Sequence, residues 1–211
     1  QRSVRQVEVD YESQPVYAAM FVDFGQGEVG NYFLNSIGNG EDALRTVIDD
    51  SRERCPEERM VLIGYSQGAL VVRRQVSVEH DTDKFAGIVL VADPGRRVED
   101  IATRGSAAPG VGLTGWTGDL SSLPLDGVKP AVVSVCNALD AVCDTANLMA
   151  TPEAAIGLPG FLGAMAAGVD VHTAYVGTSE MQSAAAHVAT RVLSYAVPKA
   201  IDFDVPIGDP F

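Results

Sequence analysis

An α/β fold with a mainly parallel sheet and helices on both of its faces is what the sequence predicts. Three observations carry it. The apolar runs at residues 60–64, 87–92 and 131–135 are short and continuous, as in strands buried on both faces. Segments 41–54, 69–78 and 181–195 place apolar residues at helical spacing with polar residues between them. The two kinds of segment alternate, which is the order of a three-layer α/β/α sandwich.

Taken in order, residues 4–9 alternate apolar and polar side chains, which suits a strand. Residues 14–40 are rich in glycine and aromatic residues and read as a loop followed by a helix start. In 41–54, Ala43, Leu44, Val47 and Ile48 form one stripe, and Cys55-Pro56 stops the helix. Residues 60–64, 87–92 and 131–135 are the core strands, with a helix over 69–78 after the first of them. The uncharged stretch near 154–169 contains Gly157, Pro159, Gly160, Gly163 and Gly168, and is too short and glycine-rich for a good membrane span. Residues 181–195 form a last amphipathic helix, and 201–211 an extended tail. Residues 1–211 read as one domain, with no internal repeat and no linker.

A chain of 211 residues can bury one full core. Its net charge of −13, with no cluster of Lys or Arg, argues against nucleic acid and anionic membranes as partners. The first residue is Gln1, so the chain reads as processed or trimmed. Three cysteines without a close histidine fit a structural zinc site poorly. Cys136 and Cys143 lie close together and Cys55 stands alone. That spacing suggests one local disulfide and one thiol whose partner lies outside this chain; three reduced thiols are the alternative.

Gly64-Tyr65-Ser66-Gln67-Gly68 sits between an expected strand and an expected helix. Strand, G-x-S-x-G, helix is the nucleophile-elbow arrangement, in which a strained turn exposes the serine hydroxyl. An ordinary turn with an incidental serine is the plainer reading. The helix N-terminus favours negative charge there, and the Gln67 amide can point at a developing oxyanion. A serine hydroxyl needs a base, and usually a carboxylate to orient that base. His80 lies in the polar "VEHDTDK" and reads as solvated. His187 lies inside the last helix. His172, in "GVDVHTAYVG", follows a glycine-rich stretch and is expected in a late loop before a helix, where this chain order puts the base. His172 is therefore the candidate base and His187 the reserve. The acid should follow a late strand: Asp140 lies between the two cysteines of "CNALDAVCD", whereas Asp144, just outside, reads as a surface carboxylate.

"CPEERMVLIGYSQGA", "CNALDAVCD" and "VHTAY" together resemble the cutinase family of secreted serine esterases, from about residue 32 to the end of the last helix. The glycine-, alanine- and acid-rich character is similar to actinobacterial members. The resemblance implies an α/β-hydrolase fold with Ser66 as nucleophile, Asp140 as acid, His172 as base and Gln67 supplying one oxyanion amide. It implies a Cys136–Cys143 disulfide bracketing the acid, no metal and no cofactor, and a secreted or envelope-associated protein. The activity implied is hydrolysis of carboxylic esters through an acyl-enzyme. An acyltransferase of envelope lipids, or a silent lipid-binding protein on the same fold, are the alternatives.

The chain departs from the family pattern at three places. Leu139 stands where the family has glycine before the acid. The Asp140–His172 separation is long and its insert strongly apolar. The family's first strand, its A-R-G-[ST]-like loop with the second oxyanion donor, and a cysteine partner for Cys55 do not precede Val4, so an upstream segment joined through Cys55 is expected. In the apolar insert, Leu148, Met149, Ile156, Leu158, Phe161, Leu162 and Met165 are expected to form a mobile flap over Ser66 that binds lipid-like or polyester-like esters. A buried core helix is the alternative.

Overall fold

The computed structural model describes residues 4–15, 28–79, 81–100, 103–114, 125, 128 and 132–195. Along them run α1 (Glu28–Arg54), β1 (Met60–Tyr65), α2 (Gln67–Val78), β2 (Phe85–Val91), β3 (Thr103–Arg104), β4 (Val132–Val135), α3 (Thr145–Met149), α4 (Leu158–Thr173) and α5 (Ser179–Tyr195). The strands form a parallel sheet in the order β1-β2-β4-β3. Every residue of β2 is buried, which is why its sequence is an unbroken apolar run.

Successive side chains of β2 point to opposite faces. Ile88 and Leu90 enter a core with Phe33, Ile37, Leu44 and Ile48 of α1 and Leu70, Val71 and Val76 of α2. Val89 and Val91 enter a second core with Val133 and Val135 of β4 and Ala184 and Val188 of α5. Helices thus cover both faces, and the α/β/α sandwich read from the sequence is the observed one. No helix among the described residues is long and apolar enough to cross a membrane.

Three expectations need correction. Residues 4–9 are not in a strand; Val4 and Val7 are exposed, and the segment is held by Val9, which packs with Tyr11 against the first core, and by Arg5 on Glu58 and Ser51. Residues 28–40 are helix, not loop. A Cβ at Gly40 would lie 2.9 Å from Val71 and 3.0 Å from the Tyr11 ring, so that glycine permits close helix packing rather than a turn. The third concerns residues 158–173, a helix whose role is taken up with the site. His80, the tail 201–211 and the segment 16–27 lie outside the described residues.

The turn after β1 depends on Gly64. A Cβ there would lie 2.3 Å from the Gly68 carbonyl oxygen and 2.6 Å from the Ala69 backbone. These are backbone atoms at the start of α2 and cannot rotate away. Gly64→Ala is therefore expected to destabilise the protein by about 3 kcal/mol, read as a fall in the thermal unfolding midpoint. An unchanged midpoint would show that the turn has slack.

Candidate active site

Ser66 sits between β1 and α2 with φ 54° and ψ −121°, a backbone shape that disfavours any side-chain-bearing residue. It is held by its N–H on the Val91 carbonyl at 2.9 Å, while its own carbonyl accepts from the Ala69 and Leu70 N–H groups. The hydroxyl makes no capping bond to the helix. Instead, Ser66 Oγ lies 2.9 Å from His172 Nε2.

On the far side of the ring, His172 Nδ1 is 3.1 Å from each carboxylate oxygen of Asp140. A carboxylate only accepts, so the proton resides on Nδ1 and Nε2 is left to accept the serine hydroxyl. Asp140 is fully buried yet well satisfied. Its Oδ1 accepts from the N–H groups of Val142 at 2.6 Å and Cys143 at 3.0 Å, and its Oδ2 from the Tyr175 hydroxyl at 2.8 Å. Burial, and after it the Asp140 charge, push the Tyr175 hydroxyl well above the usual phenol range. Tyr175 therefore stays protonated and donates to Asp140. Tyr65 completes the surround: its ring stacks on His172 at 5.2 Å between centroids, and its hydroxyl donates to the His172 carbonyl at 2.6 Å.

The sequence-predicted Ser66, Asp140 and His172 are thus brought into one hydrogen-bonded line, but His172 is not in a loop. It occupies the last turn of α4 and is 3% exposed. The glycines that suggested a loop are contact points. A Cβ at Gly160 would strike the Glu153 carbonyl at 2.1 Å, and one at Gly168 would lie 2.8 Å from Leu148, 2.9 Å from the Leu139 carbonyl oxygen and 3.0 Å from Ala141. The Gly168 carbonyl accepts from the Ala141 N–H at 3.2 Å. Gly168 lets α4 lie directly on the loop that carries Asp140, one turn before His172. Gly168→Ala is expected to lower turnover by about 10²-fold through misplacement of the imidazole, with a smaller change in substrate KM. Wild-type turnover in this variant would show that the two segments are not rigidly linked.

Gln67 begins α2, where the first N–H groups have no intrahelical acceptor. Its side-chain amide is committed elsewhere: Oε1 accepts from Ser36 Oγ at 3.0 Å and the Gln14 N–H at 3.1 Å, and Nε2 donates to the Phe33 carbonyl. The side chain is therefore not free for the oxyanion role expected of Gln67, which leaves the backbone N–H for it. Cys136 and Cys143 are disulfide-bonded, and Cys55, just past α1, is an exposed free thiol. His187 lies on α5; the imidazole bonded to Ser66 Oγ and to the Asp140 carboxylate is that of His172. No group of three or more His, Cys, Asp or Glu among the described residues could hold a metal ion.

The expected flap is α3, a turn and α4. Leu148 and Met165 are buried with Ala141 and Ala164, and Met149 and Phe161 pack against them. Ile156, Leu158 and Leu162 are solvent-exposed. The buried part of the run packs against the acid loop, and the exposed part does not share in that burial. Asp144, expected at the surface, is 1% exposed and paired with Arg96. Sequence reasoning also passed over Tyr65 and Tyr175. The spacing of Tyr175 three residues after His172 was visible, but its partner Asp140 was not.

A serine on a sharp strand-to-helix turn, at the carboxyl ends of parallel strands and facing a buried imidazole–carboxylate pair, defines a class of α/β protein. Within that class the chain belongs to the cutinase family, whose family model, described as Cutinase, matches residues 3–192. It is 33% identical over 73 residues to Cutinase 4 of Emericella nidulans, covering 35% of this chain and 31% of that protein. It is 28% identical over 109 residues to an acetylxylan esterase of Hypocrea jecorina, covering 51% of this chain and 27% of that protein. These matches span less than a third of either relative's length. Among solved structures, a cutinase-like protein from Cryptococcus sp. is 20% identical with a TM-score of 0.46, over 63% of this chain and 67% of that one. The catalytic core domain of acetyl xylan esterase from Trichoderma reesei is 18% identical with a TM-score of 0.47, over 74% of this chain and 71% of that one.

Proposed function

We propose that the chain hydrolyses carboxylic esters through an acyl-enzyme, with Ser66 as nucleophile, His172 as general base and Asp140 as the acid that orients it. The observation that carries this reading is the Ser66 Oγ–His172 Nε2 contact of 2.9 Å backed by the His172–Asp140 bonds of 3.1 Å. As Ser66 Oγ attacks the ester carbonyl, its proton passes to His172 Nε2. Asp140 holds the ring and stabilises the imidazolium that forms. The oxyanion is met by the Gln67 backbone N–H at the positive end of α2. His172 then returns the proton to the leaving alkoxide, and water, deprotonated by the same Nε2, releases the acid.

Family membership and the names of the relatives support esters as the substrate class. Exposed Ile156, Leu158 and Leu162 support an apolar acyl or polymer chain. The Cys136–Cys143 bond supports an oxidising, extracellular setting. Hydrolysis of a short-chain nitrophenyl ester, with a fluorophosphonate label mapped to Ser66 by peptide mass, tests the reading. An unlabelled Ser66 in folded protein would sink it. Repeating the assay with an acceptor alcohol, and finding the transferred ester as the main product, would move the assignment to acyl transfer by the same residues.

A further inference from the structure

Leu139, immediately before Asp140, has φ 64°, a left-handed conformation that a residue with a Cβ adopts reluctantly. What holds it there is a side chain. The Leu139 N–H donates to Asp144 Oδ2 at 2.9 Å. The other oxygen of Asp144 accepts from Arg96 Nη1 at 3.0 Å and from Asn147 Nδ2 at 2.8 Å. Arg96 also donates to the carbonyls of Cys143 at 3.1 Å and Ala108 at 2.5 Å. The Arg96 N–H is itself fixed on the Asp93 carbonyl, and the Asp93 carboxylate is paired at 2.6 Å with Arg73 of α2. Two buried ion pairs, linked by a backbone hydrogen bond, therefore join the helix behind Ser66 to the loop that presents Asp140. Arg96 and Asp144 are 2% and 1% exposed. A pair so buried is a weak stabiliser, because desolvation offsets most of its attraction. Its place beside a strained backbone points to geometry instead.

We propose that the Arg96–Asp144 pair positions the acid: by locking Leu139 in its left-handed conformation it aims the Asp140 carboxylate at His172 Nδ1. The proposal rests on the ester-hydrolase reading for its kinetic consequence, but its structural consequence can be read without turnover. Neither residue touches substrate, so both are positioning residues.

The test replaces the pair by apolar side chains, Arg96→Met with Asp144→Leu, which leaves no orphaned buried charge. With a cooperative unfolding transition retained, kcat is expected to fall about 10²-fold while KM holds. Adding Leu139→Gly, which adopts the left-handed conformation freely, should restore most of the loss. In an Asp140→Ala background the pair replacement should cost nothing more, because no carboxylate remains to be aimed. Independently of any substrate, the far-downfield proton resonance of the His172 Nδ1–H bonded to a carboxylate, assigned by its loss in Asp140→Ala, should move upfield or broaden in the pair variant. If the pair variant does not fold, Asp144→Asn serves. It keeps an oxygen for Arg96 and Asn147 but sets an NH2 group against the Leu139 N–H, and the same changes are expected. A folded variant with wild-type kcat and an unchanged resonance overturns the proposal, as does an equal fractional loss with and without Asp140. Should the wild-type chain hydrolyse no ester, the functional reading fails, and the resonance still decides whether the pair aims Asp140.

Discussion

Ser66→Ala is expected to lower ester turnover by about 10⁶-fold and to leave the unfolding temperature where it was. The two halves of this expectation have separate causes. Turnover should collapse because Ser66 Oγ, 2.9 Å from His172 Nε2, is the group among the described residues with a proton to give there and an electron pair to attack with. Stability persists because the Ser66 hydroxyl caps nothing in α2; the turn is held by its backbone bonds to Val91, Ala69 and Leu70, which alanine keeps. Alanine also inherits the positive φ at no greater penalty than serine. Steady-state kinetics on a nitrophenyl ester, beside a thermal melt, checks both. Retention of most of the activity would remove Ser66 from the nucleophile's role.

His172→Ala is expected to lose a similar factor, about 10⁶-fold, whereas His187→Ala keeps wild-type turnover. Without the imidazole, Ser66 has no base. Asp140 keeps the Val142 and Cys143 N–H groups and the Tyr175 hydroxyl, so the buried charge stays satisfied and the fold survives. The gap left beside the Tyr65 ring is the size of the missing imidazole, and added imidazole should restore part of the rate. A dead His187→Ala with an active His172→Ala would reverse the assignment.

Local order along the chain made the fold class and the nucleophile turn legible. Continuous apolar runs identify strands buried on both faces, and β2 is buried at every residue. Gly64, Ser66 and Gly68 are neighbours in sequence, and the strand and helix they join follow directly, so the close contact between Gly64 and the start of α2 is local; of the bonds that hold the turn, only that to the Val91 carbonyl comes from another strand. The Cys136–Cys143 spacing and the resemblance marked the loop around Asp140 in the same way.

Tertiary packing decided the rest. A glycine has the same signature in sequence whether it frees the backbone or admits a neighbour, so Gly40, Gly160 and Gly168 suggested loops where close approach by Val71, Glu153 and Leu139 required helices without a Cβ. His172 consequently sits at the end of a helix. Leu148 and Met165 became core because α4 lies on the acid loop. Asp144 is buried where Arg96, 48 residues away, meets its charge. The sequence by itself determined the elements whose forces are local, the strand pattern and the serine turn. The helix that ends in His172, the buried Arg96–Asp144 pair and the tyrosines that flank His172 and Asp140 were decided by the tertiary structure. Their energies depend on partners that the chain brings together only when it folds.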